Sequence, residues 1–135
     1  MQAKRVLESA LYVDDLEAAE AFYRDVLGLT FHARVEGRHV FFRCGDGMVL
    51  LFNPGATAKP MEGISVPLHG GVPGQGHLCF AVSHEELDPW RKHLAASKVD
   101  IEQEMTWPNG AISIYFRDPA GNSLELATPD LWFGA

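Results

Sequence analysis

Phe116-Arg117-Asp118-Pro119-Ala120-Gly121-Asn122-Ser123-Leu124-Glu125-Leu126 reads as a strand, a tight turn and a second strand. Pro119 fixes φ, while Gly121 and Asn122 tolerate the left-handed conformations that close such a turn. Strand side chains alternate, so Leu124 and Leu126 share one face and Glu125 points to the other. A carboxylate in so apolar a strand needs a partner, because burying an unpaired charge is costly. Either it reaches solvent at a sheet edge, or it faces a polar cavity and binds something positive.

The same layout occurs earlier, in Phe42-Arg43-Cys44-Gly45-Asp46-Gly47-Met48-Val49-Leu50-Leu51-Phe52. An offset of 74 positions lays Phe42-Arg43 on Phe116-Arg117, Gly47 on Gly121, Leu50 on Leu124 and Leu51 on Glu125. An internal repeat of this length governs the fold. Reading outward, Val6–Val13 alternates as a strand, with Leu7, Leu11 and Val13 on one face and Glu8, Ala10 and Tyr12 on the other. Asp14-Asp15 then caps a helix over Leu16–Leu27, whose apolar stripe is Leu16, Ala19, Phe22, Tyr23 and Val26, and Gly28 stops it. Leu29–Val35, His39–Arg43 and Met48–Phe52 follow as strands.

Asn53–Gly76 is a long connection rich in Gly and Pro, the kind of segment that is flexible or functional. The unit then restarts. His77–Val82 is a strand, and Ser83 with Glu86 forms a capping box for a helix over Glu85–Ala96. Val99–Glu104, Ala111–Arg117 and Ser123–Ala127 are strands, with Asn109-Gly110 as a hairpin signal. The expectation is an α+β fold of two β-α-β-β-β repeats, their curved sheets forming an incompletely closed barrel with helices outside. A single domain spans 1–135, with repeat one at about 5–53, a linker at 54–75 and repeat two at about 76–128. The apolar tail, with Trp132 and Phe133, is expected to dock on a surface.

At 135 residues, with 47% apolar and 21% charged side chains, the chain can bury an ordinary soluble core. A net charge of −7 argues against nucleic acid, whose phosphates need a basic surface. No apolar run approaches a membrane span, and the N-terminus leads straight into a strand without a signal peptide. Cys44 and Cys79 form no disulfide framework, so reduced thiols in a cytoplasm are expected.

Aligning the first strands at an offset of 69 pairs Glu8 with His77. Glu8, His77 and Glu125 then stand at repeat-equivalent places, each facing away from an apolar, helix-packed side. Taken singly, a strand Glu is an edge charge and a strand His a bonded core residue. Together they fit a divalent cation that neutralises the carboxylates, with positions left open for water or substrate. His39, Phe41 and Arg43 match Ser113, Tyr115 and Arg117 on the strand faces that line the cup; Val40, Phe42, Ile112, Ile114 and Phe116 fill the opposite face. Arg43 or Arg117 suits a carboxylate or phosphate, or else pairs with Asp46 or Asp118. Trp107 walls the pocket or simply packs. Cys79 shares the face of His77 and either approaches the metal or, as the commoner case, is a buried inert thiol. His32, His69, His84 and His93 read as loop or surface residues.

The paired units, the run Asp15-Leu16, Phe22-Tyr23, Leu27-Gly28-Leu29, and the ending Asp118-Pro119-Ala120-Gly121-Asn122-Ser123-Leu124-Glu125-Leu126 resemble the vicinal oxygen chelate superfamily. That group includes glyoxalase I, fosfomycin-resistance thiol transferases, extradiol dioxygenases, methylmalonyl-CoA epimerase and bleomycin-resistance binding proteins. The resemblance covers nearly the whole chain and implies metal ligands at Glu8, His77 and Glu125, with Glu125 also catalytic. Two departures stand out: Glu8 replaces the family's frequent His, and Leu51 takes the place of a fourth, proton-moving carboxylate. Two carboxylates and one imidazole suit Mn²⁺, Mg²⁺ or Fe²⁺, and also Zn²⁺ or Ni²⁺. The implied function is a metal-dependent lyase, isomerase, transferase or dioxygenase acting on a small oxygen-chelating substrate. The alternative is a metal-free binding protein of the bleomycin-resistance kind. Exposed sheet edges, together with family practice, imply a homodimer.

Overall fold

The computed structural model describes residues 1–134 and leaves Ala135, the last residue of the tail, outside them. The chain divides into two compact units, Met1–Gly76 with the turn Pro119–Gly121, and His77–Asp118 with the residues from Asn122 on. The first contains β1 (Glu8–Tyr12), α1 (Leu16–Asp25), β2 (Thr30–Val35), β3 (His39–Cys44), β4 (Gly47–Phe52) and a one-turn α2 (Pro54–Thr57). The second contains β5 (His77–Ala81), α3 (Leu87–Ala96), β6 (Gln103–Thr106), β7 (Ile112–Arg117) and β8 (Ser123–Ala127). Each unit holds one four-stranded mixed sheet, ordered β1-β4-β3-β2 and β5-β8-β7-β6. In both, the first strand runs parallel to the last and the other pairs are antiparallel. Neither sheet closes into a barrel. No helix among the described residues is long and apolar enough to cross a membrane.

Local chemistry sets the helices. Asp15 Oδ1 accepts from the Ala18 amide at 3.0 Å, satisfying one orphan donor of α1. The expected capping box forms, with the Ser83 amide donating to Glu86 Oε2 at 2.8 Å ahead of α3. Apolar side chains on one face of each sheet meet the helix. Tyr23 and Phe42 are fully buried with ring centroids 6.2 Å apart, and Ile114, Phe116 and Leu94 are fully buried in the second unit. Truncating such a side chain to alanine costs about 3–5 kcal/mol.

Several expectations are corrected. β1 begins at Glu8, not Val6, and Val6 and Leu7 stay exposed. β6 begins at Gln103, not Val99, because Val99 N–H still bonds Leu94 O and Lys98 is left-handed at φ 58°. These closing contacts use up the residues that would have begun the strand.

The main correction concerns the repeat. Glu8 pairs with Met48 and His77 with Ser123, so Ala10 pairs with Leu50 where Cys79 pairs with Glu125. Phe41 likewise pairs with Leu50 where Tyr115 pairs with Glu125. The counterpart of Glu125 is therefore Leu50, not Leu51. Leu51, fully buried, matches Leu126 on the helix side. The turn from Arg43 to its partner Met48 is one residue shorter than that from Arg117 to Ser123. A one-residue slip exchanges the faces of a strand.

The glycines of the long connection serve close approach rather than looseness. A Cβ on Gly71 would stand 2.5 Å from the Tyr12 ring, and one on Gly74 would stand 2.2 Å from Ala120 O. His69, expected as a bland loop residue, meets the Tyr12 hydroxyl at 2.6 Å and sets its ring 4.7 Å from Phe52. The connection thus lies over one end of the first sheet's open face. The tail differs as well. Its backbone is tied down, yet Trp132 and Phe133 are 78% and 83% exposed.

Candidate functional site

The open face of the second sheet is built around Glu125. β8 is an inner strand, so Glu125 has Cys79 beside it on β5 and Tyr115 on β7. It is 5% exposed, and its two oxygens have separate roles. Oε2 accepts a hydrogen bond from the Ser113 hydroxyl at 2.5 Å, and Ser113 Oγ accepts from the Trp107 indole N–H at 2.9 Å. The indole has only a donor to offer, so the serine proton is left for the carboxylate. Oε1 lies 3.3 Å from His77 Nε2. The other ring nitrogen, Nδ1, lies 3.0 Å from the Ser123 carbonyl, which can only accept, so Nδ1 carries the hydrogen. The Nε2 position and Oε1 then face one point, where either a proton or a cation can satisfy both.

This donor set fits a divalent ion. An imidazole whose far nitrogen donates to a carbonyl and a carboxylate held by a hydroxyl are the usual supports behind metal ligands. Among the described residues, no group of three or more His, Cys, Asp or Glu side chains is gathered closely enough to hold a metal. The pair His77–Glu125 is what the second unit itself supplies.

The flanking acids are held neutral. Burial pushes the Cys79 thiol up to about 12, and the charge and hydrogen bond of Glu125 add to the rise, although the residue keeps an exposed edge on the open face. The expected burial is corrected, since Cys79 is exposed, and both cysteines are free. Burial also raises the Tyr115 phenol; the Ser113 hydrogen bond opposes the rise and Glu125 supports it. Beside this group opens a pocket of about 480 Å³ lined by Trp107, Pro108, Tyr115, Glu125, Leu131 and Trp132. Trp107 therefore both walls the pocket and braces Ser113.

Other sequence-derived positions are placed differently. Arg117 is exposed and grips Glu102 with two bonds of 2.7 and 3.1 Å. Asp118 accepts from the Asn122 backbone and side-chain amides and holds the turn. In the first unit, Glu8 and Arg43 are exposed at the starting end of β1 and the final turn of β3. His39 stacks on Phe41 at 4.0 Å, and Phe52 meets both rings edge-on. His39 Nδ1 is buried without a hydrogen-bond partner among the described residues, and burial, then Arg38, lowers the ring's pKa. A second cavity, about 210 Å³, lies between α1 and the β2–β3 edge; its acid Glu20 is already held by Arg34 at 2.8 and 3.1 Å. The sequence reading missed Ser123, which contributes only its backbone carbonyl, and Trp132, which no periodicity points to.

The family model described as Glyoxalase/Bleomycin resistance protein/Dioxygenase superfamily matches residues 5–126. The crystal structure of lactoylglutathione lyase from Agrobacterium tumefaciens superposes with a TM-score of 0.92 at 45% identity, covering 98% of both chains. Glutathione transferase FosA of Serratia marcescens is 33% identical over 118 residues, 86% of this chain and 74% of that protein. Metallothiol transferase FosB of Bacillus licheniformis is 29% identical over 117 residues, 86% of this chain and 70% of that protein.

Proposed function

This chain belongs to the glyoxalase/bleomycin resistance protein/dioxygenase superfamily, and from that premise we propose that it is a divalent-metal-dependent enzyme acting on a small substrate with two neighbouring oxygens. The reading rests on one observation: His77 Nε2 and Glu125 Oε1 converge at 3.3 Å while their far atoms are fixed by Ser123 and Ser113. His77 and Glu125 would hold the ion, with Glu8 of a second copy of the chain as the third ligand, and the ion would supply Lewis-acid polarisation of the substrate oxygens. The chain's own residues do the remainder. Ser113 fixes the orientation of Glu125 through Oε2, and Trp107 fixes Ser113. Cys79 and Tyr115, both kept neutral, crowd the carboxylate without competing for a cation by charge.

Among lyase, isomerase, transferase and dioxygenase chemistry, group transfer or lyase chemistry on a small molecule is the direction the relatives support, two of them being named for glutathione. Lactoylglutathione lyase and the two thiol transferases support that direction, and a homodimer in the cytoplasm is part of the same reading. A second reading, a metal-free small-molecule binder, is favoured by the apolar rim that Trp107, Leu131 and Trp132 set around a single carboxylate. Elemental analysis of protein purified without chelator separates the two. Near one Mn, Fe, Ni, Zn or Mg per chain, with heat stabilisation on metal addition, is expected for the enzyme. Metal-free protein that added ions do not stabilise would establish the binder.

A further inference from the structure

The C-terminal segment is held firmly while its largest side chain is left bare. Asp130 Oδ2 meets His84 Nε2 at 3.0 Å, and the Asp130 carbonyl accepts from Asn109 Nδ2 at 2.8 Å. Asn109 Oδ1 accepts from the Ala111 amide at 3.1 Å, which ties the same residue into its own hairpin. Amides of Leu131 and Trp132 close a 3₁₀ turn on Thr128 and Pro129. All this fixes a strap at which Trp132 is 78% exposed, yet its indole lines the same pocket as Trp107, Tyr115 and Glu125. A bare indole on a mobile tail would mean little. One carried on a backbone tethered at Asp130, beside the Glu125 carboxylate, keeps apolar surface available for contact.

We propose that Trp132 and Trp107 form an aromatic slot that binds a planar apolar substituent of the substrate while its oxygens face Glu125 and His77. This deepens the metal-dependent reading and rests on it for the placement of the substrate's oxygens. The substrate class is then a small molecule with two adjacent oxygens and an aryl or similarly flat group. Trp132 is the specificity-determining residue, and His84 and Asn109 position it from outside the chemistry.

The test compares mandelate with lactate, which carry the same hydroxyl and carboxylate and differ in phenyl against methyl. Binding is followed by tryptophan fluorescence and calorimetry on the full chain, with and without Mn²⁺. Mandelate is expected to bind at least about tenfold tighter than lactate, from the buried ring area and aromatic contact. Trp132→Ala should bring the ratio near unity by weakening mandelate far more than lactate, and Trp132→Phe should keep most of the preference. His84→Ala should lower the ratio in the same direction, an effect that a merely structural role at a distance from the pocket would not produce.

Absence of a phenyl preference, or of any binding at millimolar concentration, overturns the slot. A preference that survives Trp132→Ala overturns it too. A shift in association state by Trp132→Ala with the ratio unchanged would assign the indole to an interface between copies and also overturn the slot. Metal-dependent binding of both acids without preference removes the slot and keeps the metal reading. A phenyl preference indifferent to Mn²⁺, and equally to Fe²⁺, Ni²⁺, Zn²⁺ and Mg²⁺, keeps the slot and removes the metal reading.

Discussion

The two units share one frame and carry opposite chemistry on their open faces. At the centre of the first sheet stands Leu50, flanked by Ala10 and Phe41; at the centre of the second stands Glu125, flanked by Cys79 and Tyr115. Two residues along the neighbouring strand, His39 in the first matches Ser113 in the second. Ser113 completes a relay from Trp107 to Glu125, whereas His39 Nδ1 is buried without a partner among the described residues. The first face is aromatic and partly overlaid by its own connection through His69; the second is polar at its floor and walled by two indoles. The helix-packed faces, by contrast, are nearly interchangeable: Val40, Phe42, Val49 and Leu51 against Ile114, Phe116, Leu124 and Leu126. The repeated fold is kept by the buried face, and the two units differ on the face that folding leaves uncommitted.

The strongest way to break this comparison is to put the charge on the wrong face. Leu51→Glu would bury an unpaired carboxylate against α1 and is expected to cost more than about 4 kcal/mol, a large share of the roughly 5–15 kcal/mol that holds a native domain folded. Leu50→Glu, at the true counterpart of Glu125, should cost about 1–3 kcal/mol and still fold. Urea melts of the two variants decide the register, and the reverse ranking would restore the offset of 74 as the structural one.

Glu125→Gln removes the charge and keeps the shape. Metal affinity should fall at least about tenfold, or about 1.4 kcal/mol, with turnover lost, while the metal-free protein melts no lower than the parent. Metal titration followed by thermal melting checks both halves, and unchanged affinity would remove Glu125 from the ligand set. Glu125→Leu, which copies the first unit, should fold as well.

Ser113→Ala sharpens the contrast with His39. It leaves Glu125 Oε2 without its hydroxyl donor and the Trp107 N–H without an acceptor, at an expected cost of about 1–3 kcal/mol in stability. Metal affinity should weaken severalfold, and Ser113→Thr should recover part of it. Denaturation and metal titration on the same samples separate the two effects.

The smallest effect is expected at His39. Its pKa is lowered in the folded protein from the ordinary 6.5 because burial disfavours the charged ring. The unfolded chain therefore takes up the proton first, and stability is lost as pH falls below about 6.5. His39→Phe keeps a flat ring on Phe41 and should abolish that loss, with little change above pH 7. Melting temperatures of the parent and variant across this range provide the check.

How much was legible in the sequence follows from these residues. Alternation separated Glu125 from Leu124 and Leu126, and put Ser113 and Tyr115 on its side, because strand geometry is a local, two-residue rule. Helix caps at Asp15 and Ser83 were equally local. The repeat was visible, but its offset changes within a turn, and counting residues across turns of unequal length placed Leu51 where Leu50 belongs. Hydrogen bonding between strands sets register, and no single strand encodes it.

By itself the sequence determined the two β-α-β-β-β units, their apolar faces, and the acid and imidazole types that belong opposite them. Only the tertiary structure decided that His77 Nδ1 is held by the Ser123 carbonyl, that Trp107 reaches Glu125 through Ser113, that Gly71 makes room for Tyr12, and that Trp132 stands bare over the pocket. Each of these joins residues from separate elements through a backbone group, a shared proton or a lack of space. Such contacts depend on distance in the folded chain, and residue type and spacing along the sequence do not carry that information.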